Sequence, residues 1–65
     1  MPDQAMTDLI ACLDEANGNP HKVVNCQTKF EHAGGKTDGG KVFIAPDGSA
    51  VYVTDGGKVF GLQPA

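Results

Sequence analysis

The sequence predicts an α+β domain, with one N-terminal helix packed on an antiparallel meander of three or four strands. Three patterns lead there. Residues 3–17 repeat their apolar side chains at helical spacing, residues from 22 onward alternate, and one heptapeptide occurs twice. Thr37-Asp38-Gly39-Gly40-Lys41-Val42-Phe43 returns unchanged as Thr54-Asp55-Gly56-Gly57-Lys58-Val59-Phe60. In each copy Asp-Gly-Gly permits positive φ, and Lys-Val-Phe begins a strand-like alternation.

The helix over 3–17 follows from Met6, Leu9, Ile10, Leu13 and Ala16, which fall on one face. Asp3 caps its first turn, while Asp8 and Glu15 lie outside the apolar stripe. Gly18 offers a left-handed C-terminal position, and Pro20 prevents continuation. Over 22–30, Val24, Cys26, Thr28 and Phe30 alternate with Val23, Asn25, Gln27 and Lys29, which predicts a strand with one buried face. The stretch 31–40 holds four glycines without apolar periodicity and reads as a flexible loop. Three strands follow, over 41–45, 50–54 and 58–62. They are separated by Pro46-Asp47-Gly48-Ser49 and Asp55-Gly56-Gly57, and 63–65 form a tail.

Pairing Ala45 with Ala50 and Tyr52 with Phe60 gives this meander two faces. Val42, Ile44, Val51, Val53 and Val59 fall on one, and Phe43, Tyr52, Phe60 and Leu62 on the other. One helix covers only one face. The surplus apolar face is the functional clue, because a sizeable exposed patch on a small protein marks an interaction surface.

A chain of 65 residues holds one domain and no cleft between subdomains. Eight acidic residues against five basic ones give a net charge of −3. That sign disfavours direct binding to phosphate backbones and favours a protein partner with a basic surface. No apolar run reaches the ~18 residues of a membrane span, and no basic-then-apolar leader opens the chain, so a cytoplasmic protein is expected.

The chemical motifs point away from catalysis. Gly34-Gly35-Lys36-Thr37 ends like a phosphate-binding loop but has Phe30 where that pattern needs its first glycine. Cys12, His21, Cys26 and His32 are spread singly rather than in the close pairs of a zinc site. Cys12 and Cys26 are either small buried hydrophobes in a reducing compartment or a disulfide in an oxidising one. The lone serine, Ser49, sits in a turn, and the adjacent Asp14 and Glu15 diverge on a helix. No enzyme activity, metal or cofactor is expected.

Ile44-Ala45-Pro46-Asp47-Gly48-Ser49-Ala50-Val51-Tyr52-Val53-Thr54 and the Asp55–Val59 run after it resemble the hairpin of a YVTN-type β-propeller blade. The resemblance implies antiparallel hairpin geometry only, since a propeller needs several blades. As a whole, a compact acidic chain with a helix over 3–17 and a meander over 41–62 resembles in format the small anti-CRISPR proteins of phages and mobile elements, particularly those acting on type I systems. That resemblance implies a non-enzymatic inhibitor in a bacterial cytoplasm, docking on a CRISPR effector subunit and occluding its nucleic-acid-binding surface. The residues expected to make electrostatic contacts are Asp8, Asp14, Glu15, Asp38 and Asp55, with Phe43, Tyr52 and Phe60 for apolar contacts. The alternative is a homo-oligomeric structural or interaction domain, so the chain is expected as a monomer or a weak homodimer.

Overall fold

The structure, a computed structural model, describes residues 3–62. The element order is α1 (Gln4–Ala16), α2 (Pro20–His32), β1 (Lys36–Asp38), β2 (Val42–Ile44), β3 (Ala50–Val53) and β4 (Val59–Leu62). The strands form one antiparallel sheet in the order β1-β2-β3-β4, and both helices contribute to the core beneath it. The α+β class and the meander stand, but two helices replace the single one expected.

Helix α1 forms as its periodicity predicts. The Asp3 side chain accepts from the Met6 N–H at 3.2 Å, capping one of the orphan donors of the first turn. Met6, Leu9, Leu13 and Ala16 are buried, whereas Ile10 stays 41% exposed. The left-handed turn at its end begins one residue earlier than expected, at Asn17 (φ 47°), and continues through Gly18 (φ 80°).

The predicted strand over 22–30 is instead helix α2. Asn19 is its N-cap, its side-chain oxygen accepting from the N–H groups of His21 (3.0 Å) and Lys22 (3.3 Å). Pro20 occupies the first turn, where its missing N–H costs nothing. Its buried face is Cys26 and Phe30 with Val23 half-buried, a spacing of three and four. Val24 and Thr28, the other members of the supposed strand face, point to solvent. Lys29 and His32 in the last turn suit the negative end of the helix dipole.

Cys12 of α1 and Cys26 of α2 are joined by a disulfide. The cross-link ties helix to helix rather than helix to strand.

The expected loop over 31–40 is shorter. It contains the end of α2, a turn at Ala33-Gly34 and strand β1. Gly35 is buried where the chain doubles back, and its N–H donates to the Phe30 carbonyl at 3.0 Å. A Cβ placed there would overlap the Phe30 ring. Phe30 in turn meets Phe43 edge-to-face with ring centroids 5.8 Å apart, joining α2 to the sheet.

The three later strands lie within a residue or so of their expected limits, but the β2–β3 register differs by one. Phe43 pairs with Val51 and Ile44 with Ala50, because the Ala45 N–H closes on the Ser49 carbonyl at 2.8 Å. A one-residue slip moves every side chain of a strand to the opposite face. Phe43 is therefore core, fully buried beside Ala45, Val51 and Val53. The β3–β4 register is the expected one, with Tyr52 opposite Phe60. The expected tail at 63–65 lies outside the described residues.

Candidate functional site: the outer face of the sheet

The registers sort the strand residues into cross-strand rows. The inner row runs Thr37, Phe43, Val51, Gly61. Two rows face away from the helices: Lys36, Ile44, Ala50, Leu62, and Asp38, Val42, Tyr52, Phe60. Every buried side chain of the sheet belongs to the inner side. On the outer side Val42, Ile44, Ala50 and Tyr52 are half-buried by their neighbours alone. Phe60 and Leu62 are 54% and 46% exposed.

This face is uncovered because both helices pack on the other side of the sheet. Its rim is charged. Lys36 and Asp38 flank it on β1, and Lys58 stands where β4 begins. At the hairpin ends Lys41 pairs with Asp55 at 3.1 Å, with both side chains largely in water. The Asp55 carboxylate, by hydrogen bond and by charge, holds the Lys41 ammonium above its ordinary pKa. At the opposite end Asp47 accepts from the Ser49 hydroxyl (2.6 Å) and the Ser49 N–H (2.9 Å). Those bonds pull its carboxyl below the usual range and fix the β2–β3 turn.

No family model, curated protein or solved structure matches the chain.

The expected contact residues divide. Tyr52 and Phe60 are neighbours on the outer face, and Val42, Ile44 and Leu62 complete the patch. Phe43 is buried on the opposite side and is unavailable for contact. All five acids are exposed, but they do not form one cluster. Asp8 and Glu15 line a groove between α1 and α2 with Lys29. Asp14 lines a second groove between α1 and β4, beside Ile10, Lys58 and Phe60. Asp38 sits on β1 and Asp55 in the β3–β4 turn. The apolar patch and the acids of α1 therefore occupy different layers, and only Asp14 comes near the sheet margin. Val42 and Ile44 were missed as surface residues because their facing depends on the β2–β3 turn.

The residues considered for zinc are not gathered. Cys12 and Cys26 are bonded to each other, and His21 and His32 are exposed near opposite ends of α2. Among the described residues no group of three His, Cys, Asp or Glu side chains is arranged to hold a metal ion. Lys36 and Thr37 run into strand β1 rather than a helix, so the glycines before them do not precede a phosphate-binding helix N-terminus. No described helix is long and apolar enough to cross a membrane.

Proposed function

We propose that this protein is a non-enzymatic binding module that docks on a partner protein through the outer face of its sheet. The observation that carries the proposal is the outer patch of Val42, Ile44, Tyr52, Phe60 and Leu62, which no element of the described chain covers. Tyr52 within the patch, Phe60 at its β4 margin and charges along the β1 side share features with the anatomy of protein interfaces.

The finer reading is an inhibitor that occludes a basic, nucleic-acid-reading surface, as the anti-CRISPR resemblance implies. What supports it is helix α1, which carries Asp8, Asp14 and Glu15 and no basic residue. The acids of α1 would steer the approach and the sheet would hold the contact. A cytoplasmic setting belongs to this finer reading and requires the fold to persist with its thiols reduced. The Cys12–Cys26 bond favours instead a compartment that sustains disulfides.

The test is affinity capture from a bacterial lysate with the natural chain and two variants, Tyr52→Lys/Phe60→Lys and Asp8→Lys/Asp14→Lys/Glu15→Lys. The proposal expects one set of captured proteins to disappear with the sheet variant while circular dichroism shows an unchanged fold. The inhibitor reading further expects the acid reversal to slow association and nucleic acid to compete for the same captured protein. Equal capture by the natural chain and the sheet variant removes the proposal.

A further inference from the structure

The two edges of the sheet differ. Edge strand β1 is three residues long and carries a charge at each end, Lys36 and Asp38, which discourages pairing with another strand. Edge strand β4, Val59-Phe60-Gly61-Leu62, carries none. The Thr54 N–H donates to the Lys58 carbonyl at 2.9 Å, so Thr54 and Lys58 form a hydrogen-bonded pair. In an antiparallel ladder such pairs alternate, so Phe60 and Leu62 also bond toward β3. The N–H and C=O groups of Val59 and Gly61 then point outward at the open edge.

Gly61 is the second observation. Its φ lies outside the positive range, and a Cβ built on it meets nothing within 4 Å. Nothing in the described protomer requires glycine there, although glycine weakens a strand. The empty space on the inner side is open to a cross-strand side chain from a strand paired at this edge.

We propose that β4 pairs antiparallel with β4 of a second copy, about a two-fold axis passing between their Phe60 residues. In this register Val59 of each copy faces Gly61 of the other, and each such pair exchanges both N–H···O bonds. The Val59 side chain fills the inner-side space left by Gly61. Phe60 faces Phe60 at a non-hydrogen-bonded position, where opposed side chains come closest. Lys58 faces Leu62, so no like charges oppose each other, whereas parallel pairing would set Lys58 beside Lys58. It is this self-complementarity that selects a second copy over a foreign strand. The result is one continuous eight-stranded sheet with the two outer patches side by side, and the half-exposed Ile10 of each α1 flanks the new seam.

A single short strand pair buries less than the ~1,200 Å² total of a standard stable interface, so the dimer is expected to be weak and to assemble only at high concentration. Sedimentation equilibrium of the full chain should show the dimer fraction rising steadily with protein concentration. Gly61→Pro should leave the far-ultraviolet spectrum unchanged and abolish the dimer, because proline is tolerated where an edge strand's N–H faces outward but removes the donor that would bond to Val59 of the second copy. If that variant does not fold, Phe60→Lys carries the test, since it sets like charges face to face at an exposed site. Phe60→Cys should form a covalent dimer on mild oxidation, and Tyr52→Cys, one strand inward, should not. A chain that is monomeric at the highest concentration overturns the proposal. So does a dimer that survives both Gly61→Pro and Phe60→Lys, or cross-linking at 52 as rapid as at 60. Gly61→Pro leaves the side chains of the outer patch unchanged, so loss of the dimer and loss of partner capture are separable results.

Discussion

Reducing the Cys12–Cys26 disulfide should cost this protein a large part of its stability. The bond joins residues 14 apart in sequence. Closing a loop of about 15 residues in the unfolded chain removes conformational entropy equivalent to ~3 kcal/mol at room temperature. A domain of 65 residues has a total stability of roughly 3–10 kcal/mol. The bond therefore supplies between a third and all of the margin. At about 4–8 °C per kcal/mol for a domain this size, the melting temperature should fall by roughly 12–24 °C. The assay is thermal denaturation followed by circular dichroism, with and without a phosphine reductant, the thiols being counted by alkylation and mass spectrometry. The double variant Cys12→Ala/Cys26→Ala should fall at least as far, because Cys26 is buried and its truncation leaves a small cavity. A fully reduced chain that melts within about 3 °C of the oxidised one would refute the reasoning. It would mean that the unfolded chain is already compact or that the α1–α2 contact needs no staple, and it would remove the objection to a reducing cytoplasm.

Three further outcomes test the packing and the turns. Gly35→Ala should destabilise by about 1–3 kcal/mol in urea unfolding, because the new methyl group overlaps the Phe30 ring that anchors α2 to Phe43. Thr37→Val should stabilise by roughly 1 kcal/mol in the same assay, since the Thr37 hydroxyl is buried on the inner face without a hydrogen-bond partner among the described residues. Asp47 should titrate below the ordinary carboxylate range by NMR. Because its folded pKa is lowered, its stabilising contribution is present above the unfolded value and is lost as pH falls through the folded one. Ser49→Ala should return the titration toward normal, and an Asp47 midpoint unmoved by that change would contradict the assignment.

Helix α1 was legible because its stripe, cap and stop all agree. Helix α2 was hidden by a coincidence of spacing. Val24, Cys26, Thr28 and Phe30 alternate well enough to suggest a strand, while the residues that the fold buries, Cys26 and Phe30 with Val23 beside them, follow the helical period. The stronger signal was Asn19-Pro20, an N-cap followed by a first-turn proline, which ends one helix and starts the next. The existence of an uncovered sheet face was legible from the excess of apolar strand residues. Its membership was only partly so. Tyr52, Phe60 and Leu62 were placed together, but the β2–β3 turn exchanged Phe43 for Val42 and Ile44.

The duplicated heptapeptide shows why turns resist such reading. In the first copy Gly39 and Gly40 both take positive φ (62° and 73°), and Thr37 pairs with Phe43. In the second, Gly57 takes positive φ (84°) and Thr54 closes on Lys58. Identical residues thus end in different registers, with Phe43 sealed in the core and Phe60 half in water. An antibody raised against this peptide would meet two equivalent linear epitopes on a denatured blot. On the native protein only the later one presents its aromatic ring, so antigenicity would report which conformation the immunogen held.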